Sequence, residues 1–143
     1  MQAEQISIFI ENKAGRLSDV TAILAEAGIN IRALAVADTS DFGVLRLIVD
    51  NNAKADAALK NAGFTVRKTR VVAVKVDDTP GGLHRILEVL KNAGINVEYM
   101  YAFIHQSGDK AIMIFRFDHT EEAIKILMEK GITVVDGKTL STL

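Results

Sequence analysis

Shifted by 66 residues, the sequence matches itself. "AGRLSDVTAILAEAGINI" (14–31) lies over "PGGLHRILEVLKNAGINV" (80–97). Gly15 falls on Gly81, Leu17 on Leu83 and Leu24 on Leu90, and Ala27-Gly28-Ile29-Asn30 falls on Ala93-Gly94-Ile95-Asn96. Further along the shift becomes 68, so the second copy carries about two extra residues. "ADAALKNAGFTV" (55–66) then lies over "AIKILMEKGITV" (123–134), and Ala55, Leu59, Gly63, Thr65 and Val66 all recur. A repeat of this length is a whole small domain, not a solenoid unit. Two domains are expected, over residues 1–69 and 70–143.

Hydrophobic spacing gives each copy the same element order. In "QISIFIE" (5–11), Ile6, Ile8 and Ile10 alternate onto one face, as in a half-buried strand. Leu17, Val20, Leu24 and Ala27 follow helical spacing, and Gly28 supplies a stop. "INIRALAVA" (29–37) and "VLRLIVD" (44–50) read as hairpin strands around the turn "TSDFG" (39–43). "AKADAALKNAG" (53–63) reads as a helix and "FTVRKT" (64–69) as the last strand. The second copy repeats this: strand 71–77, a helix with Leu83, Ile86, Leu87 and Leu90 buried, strands 95–104 and 111–118 joined by "HQSGD", helix 120–130 and strand 132–135. The order β-α-β-β-α-β predicts an α+β protein of two tandem ferredoxin-like sandwiches, antiparallel sheets with helices on one face. A lone unit of about 70 residues buries a thin core. Pairing of sheets would repair that, and Phe9, Leu34, Val36, Tyr99 and Tyr101 are expected on the face away from the helices. "FTVRKTRVVAVKVD" (64–77) has no loop composition, so the domains are expected to be tightly joined.

Composition narrows the class. At 49% hydrophobic and 24% charged, the chain is an ordinary globular one. It has no cysteine, which excludes disulfides, thiolate metal sites and a cysteine nucleophile. No apolar run reaches the roughly 18 residues of a membrane span, and "MQAEQISIFIE" lacks the basic start of a signal peptide. A cytoplasmic location is expected. The net charge of −1 divides as nine Lys/Arg against eight Asp/Glu in residues 1–70 and eight against ten in 71–143. That balance argues against nucleic acid or an anionic membrane as partner.

Two stretches carry a family pattern. "ENKAGRLSDVTAILAEAGINI" and "DDTPGGLHRILEVLKNAGINV" both resemble the ACT domain, whose motif is a strand, Asp/Asn-x-Pro-Gly-x-Leu, and a helix ending in Gly-Ile-Asn-Ile. The resemblance spans essentially the whole chain, twice. It implies a stand-alone, non-catalytic regulatory protein that binds a free amino acid or similar molecule where two ACT units meet, with no cofactor. The ligand is expected near the loop after the first strand and the start of the second. The first copy departs from the motif, with Ala14 in place of proline and Lys13 before it. "ENKAGRLSDV" is also similar to the regulatory-subunit family of acetolactate synthase, which implies docking on an amino-acid biosynthetic enzyme instead. Exposed sheet edges favour a homodimer in either case.

The carry-over has physical support. A helix N-terminus offers unpaired N–H groups and the positive end of a dipole, which suit a carboxylate. In the second copy the resemblance implies a ligand site at Asp78, Pro80, Gly81, Gly82, Leu83, Asn96 and Val97. Amides of Gly81, Gly82 and Leu83 would meet the carboxylate, Asp78 would meet the ammonium, and Asn96 can both donate and accept. The matching residues of the first copy are Asn12, Ala14, Gly15, Arg16, Leu17, Asn30 and Ile31. A plain tight turn uses the same residue types, and a duplicated domain would share its turns. Recurrence therefore leaves both readings open.

Catalytic patterns are not found. His84, His105 and His119 lack metal-ligand spacing, although His84 adjoins the loop. Asp77 and Asp78 point to opposite faces of a strand end, which disfavours an acid–base pair. No serine has a histidine base at a recognisable spacing. Neither G-x-x-x-x-G-K-[ST] nor G-x-G-x-x-G occurs. An acylphosphatase-like enzyme would need a phosphate loop with partnered Arg and Asn. An RNA-binding sheet would need a glycine-aromatic pattern that "AIMIFRFD" (111–118) does not supply.

Overall fold

The computed structural model describes residues 2–38, 41–107 and 110–143; of residues 38 and 104–107 only the backbone is described. The turn expected at 39–43 and the hairpin tip at 105–109 thus lie partly outside the described residues, as does the His105 side chain. The elements are β1 (Ala3–Glu11), α1 (Arg16–Glu26), β2 (Ile31–Asp38), β3 (Phe42–Val49), α2 (Asn52–Asn61), β4 (Thr65–Asp77), α3 (Gly82–Asn92), β5 (Val97–Ser107), β6 (Lys110–Phe117), α4 (Thr120–Glu129), β7 (Val134–Val135) and α5 (Gly137–Thr142). They form two compact units, one of Glu4–Thr69 and one of Arg70–Leu143 together with Met1–Ala3. The last strand of one repeat and the first of the next are a single 13-residue strand, β4.

In the first unit the strands run β2-β3-β1-β4. Ile6 pairs with Leu47 and Ile8 with Leu45, so the alternating isoleucines share one face with alternate residues of β3. That face packs on Val20 and Leu24 of α1 and Ala55 and Leu59 of α2. The second unit repeats the order as β4-β6-β5, with β7 paired to the outer edge of β4. Its core joins Val72, Val74 and Val76 to Phe115 and Phe117, under Ile86 and Leu90 of α3 and Ala123 and Leu127 of α4.

The shared "AGIN" has a local cause. At the end of α1 the Ile29 N–H donates to the Leu24 carbonyl at 2.9 Å, and at the end of α3 the Ile95 N–H donates to Leu90 at 2.9 Å. Each isoleucine also belongs to the core of its unit, so one residue closes the helix and packs beneath it.

One expectation about faces changes. The β2–β3 register shifts between Ile31 and Ala33, after which Leu34 pairs with Leu47 and Val36 with Leu45. Leu34 and Val36 therefore lie on the helix-bearing side of the sheet, not the opposite one. They are exposed because β2 is the end strand. Tyr99 and Tyr101 do lie away from the helices, opposite Arg116 and Ile114. On that side of the second unit Ile112 and Ile114 are fully buried. Helix α5 follows the last strand of the second repeat. Its N-cap Asp136 accepts from the Thr139 N–H at 2.7 Å, and Leu140 is buried.

Candidate functional site

Each first strand delivers the chain to a corner, and each corner is capped by a glycine. Gly15 (φ 90°) caps α1 and Gly81 (φ 82°) caps α3, both in the left-handed region where a side chain is strained, and neither helix has a side-chain cap. The corner closes on itself: the Gly82 N–H donates to the Thr79 carbonyl at 3.0 Å, and Arg85 N–H to the Gly81 carbonyl at 3.0 Å. Among the described residues, the first-turn amides left open are those of Leu83 and His84, not that of Gly82. Asp78, Thr79, Pro80 and Gly81 are exposed, as are Asn12, Ala14 and Gly15. Leu17 is 41% exposed while its counterpart Leu83 packs partly on the core.

Asn30 and Asn96 sit elsewhere. The Asn96 N–H donates to the Asp118 carboxylate at 3.0 Å, and the Asp118 N–H returns to the Asn96 carbonyl at 3.2 Å. Asn30 and Asp50 repeat this at 3.0 and 3.2 Å. The backbone of each asparagine thus clamps a strand start, and both side chains remain exposed. Ile31 and Val97, next in sequence, are half-buried strand openers. Within a unit, α3 separates the corner from Asn96: 11 residues at 1.5 Å rise is roughly 16 Å. One unit does not bring its own glycine corner and its own asparagine together.

Beside the second corner lies a notch of about 360 Å³. Gly82, Arg85, Ile86 and Val89 of α3 form one wall, Lys130–Thr133 the other, and Lys75, Asp77 and Lys110 line it from the sheet. Asp77 bridges Arg85 at 2.7 Å and Lys110 at 2.6 Å. These bonds, Lys110 first, hold its carboxyl below the usual carboxylate range. The first unit has the matching notch, about 300 Å³, lined by Phe9, Glu11, Arg16, Phe42 and Phe64 among others. Glu11 there pairs with Arg16 at 3.0 Å and Lys13 at 3.4 Å, which lowers its pKa. His84 does not line the notch; it is 76% exposed and lies 3.2 Å from Glu88. His119 is exposed beside Asp118. Among the described residues no cluster of three His, Asp or Glu side chains could hold a metal ion, and no helix is long and apolar enough to cross a membrane.

Sequence reasoning missed Lys75, Asp77, Arg85, Lys110 and Lys130 as notch residues. A signal was present in the repeat. Phe9 falls on Lys75, Phe42 on Lys110 and Ala62 on Lys130, so the copies differ where the notch is lined.

The chain is thus two tandem ferredoxin-like units that share this corner and this helix ending. The family model for the ACT domain pair matches residues 1–143, and the chain belongs to that family. No curated protein matches the chain significantly. Among solved structures, a protein from Bacteroides thetaiotaomicron is 39% identical, with a TM-score of 0.93 over 100% of this chain and 98% of its own. The regulatory subunit of aspartate kinase from Thermus thermophilus, in its ligand-free form, is 19% identical, with a TM-score of 0.61 over 88% of this chain and 91% of its own. That from Thermus flavus is 18% identical, with a TM-score of 0.60 over 90% and 92%. The two Thermus proteins share the fold.

Proposed function

We propose that the chain is a non-catalytic regulatory protein that binds a small ligand, an amino acid or a close relative, at its strand-to-helix corners. The observation that carries this is the corner built twice. A left-handed glycine replaces the side-chain cap at both, first-turn amides stay open, and a notch adjoins each. A ligand carboxylate supplies the missing cap and gains the helix dipole. Membership in the ACT domain pair family supports the same reading. A ligand touching both a corner and an asparagine must draw them from different copies of the unit, since α3 holds them apart within one. Binding then favours one arrangement of units by its difference in affinity between arrangements. Docking on a biosynthetic enzyme is the competing reading.

Thermal unfolding of the purified chain against each of the twenty amino acids tests this. A ligand at about 100 times its Kd stabilises by about 2.7 kcal/mol, which moves the midpoint by several degrees at this size. A shift with one amino acid or a related few is the expected result. No shift with any, in a protein that melts cooperatively, contradicts it, and co-purification of an enzyme would then favour the docking reading.

A further inference from the structure

We infer that the notch of the second unit is a site for a small ligand bearing two or more negative charges, and that the first unit's notch is not. Its lining has four cations, Lys75, Arg85, Lys110 and Lys130, against one carboxylate, Asp77. Asp77 is shared between Arg85 and Lys110. Among the described residues, Lys75 and Lys130 have no ion-pair partner. This excess lies in the more acidic half of the chain, with eight Lys/Arg against ten Asp/Glu over residues 71–143. General basicity therefore does not explain it. Like charges gathered in one concavity raise the local positive potential, which a bound anion relieves.

The first unit supplies an internal control. There Phe9 and Phe42 line the notch in place of two of the lysines, and the lining charges, Glu11 and Arg16, pair with each other. The same fold and the same concavity thus hold no charge excess. The two notches differ in lining charge, not in fold.

The chemistry asks for oxyanions. Ammonium and guanidinium groups make charge-assisted hydrogen bonds to carboxylate and phosphate alike. At about 360 Å³ the notch suits a molecule the size of a dicarboxylic acid or a small phosphate ester rather than a polymer. The inference rests on the proposed function only in taking this notch to be a ligand site.

The experiment is isothermal titration of the full chain at constant ionic strength with L-aspartate, L-glutamate, succinate and pyrophosphate. L-Asparagine and L-glutamine are the isosteres of the first two that lack the side-chain charge. At least one of these four polyanionic probes is expected to bind, with no heat from the matching amide where that probe is aspartate or glutamate, and raised KCl is expected to weaken it. The double variant Lys75→Met, Lys130→Met keeps both apolar stems and removes two charges. It is expected to lose roughly 100-fold in affinity, about tenfold per charge-assisted contact. The control Lys91→Met, in the last turn of α3, is expected to bind as the parent does. Should the double variant melt abnormally, Lys130→Met alone is read for its tenfold share, since Lys130 is exposed.

Binding of carboxylates without pyrophosphate identifies a dicarboxylate site, and the reverse a phosphate site; both support the inference. No binding of any of the four probes, or binding that the double variant leaves unchanged, overturns it. If a neutral amino acid stabilises the chain while none of the four probes binds, the proposed function stands and this inference falls. If pyrophosphate binds through Lys75 and Lys130 while no amino acid stabilises the chain, the inference stands and the amino-acid reading falls.

Discussion

Phe115→Ala is expected to lower unfolding stability by about 3–5 kcal/mol, the range for emptying a buried aromatic site. Phe115 is fully buried on β6, the strand between β4 and β5. It pairs across β4 with Val72 and across β5 with Met100. Its ring stacks on Phe117 with centroids 5.3 Å apart and planes 9° from parallel. Truncation thus removes apolar burial and an aromatic contact, and leaves a cavity flanked by strand partners that cannot close in without breaking register. Total stabilities of domains are about 5–15 kcal/mol, so this one change takes a large share. Urea unfolding of parent and variant reads the difference. A loss under about 1 kcal/mol would show that the second core is not packed as described.

Gly82→Ala is expected to cost about 3 kcal/mol or more, at or beyond the upper end of overpacking penalties. A methyl group there would sit 2.0 Å from the Asp77 carbonyl oxygen and 2.9 Å from its carbon. Both are backbone atoms, so no flexible side chain can yield. The corner must open, and with it the strand end that positions Asp77 between Arg85 and Lys110. Gly81→Ala, next door, meets nothing nearer than Arg85 Nη1 at 4.0 Å. Its cost is the left-handed backbone, roughly 1–2 kcal/mol. Thermal or urea unfolding should therefore rank Gly82→Ala well below Gly81→Ala. Equal costs, or the reverse order, would contradict this corner geometry.

The repeat made the fold legible because what recurs is what packs. Leu24 and Leu90, Ala55 and Ala123, and Leu59 and Leu127 are matched pairs, and all six are buried. Strand alternation also read correctly in β1, where no bulge intervenes. In β2 it did not. The register shift after Ile31 moves Leu34 and Val36 to the other face, and such a slip leaves no mark in an apolar run. The corner glycines were legible as turn residues, but their division of labour was not. Gly81 is required by its φ, whereas Gly82 is required by the space beside Asp77, and the aligned Arg16 gives no hint of that. Asn30 and Asn96 are legible as residues at the start of the second strand of each copy. Their place at the far end of each helix follows from helix length, which the sequence did show. The notch cations Lys75, Lys110 and Lys130 leave no mark among the matching positions of the repeat, because they stand where the two copies differ.

We propose that a small molecule seats on the strand-to-helix corners. The most direct test is a set of amide correlation spectra of the uniformly ¹⁵N-labelled chain, recorded with and without each of the twenty amino acids. The stabilising amino acid is expected to move the amides of Gly81, Leu83 and His84, or of Gly15 and its neighbours, before others. The amides of α4 and of the buried centre of β6 should stay in place. Shifts confined to residues away from both corners, or no shifts with any amino acid, would contradict it.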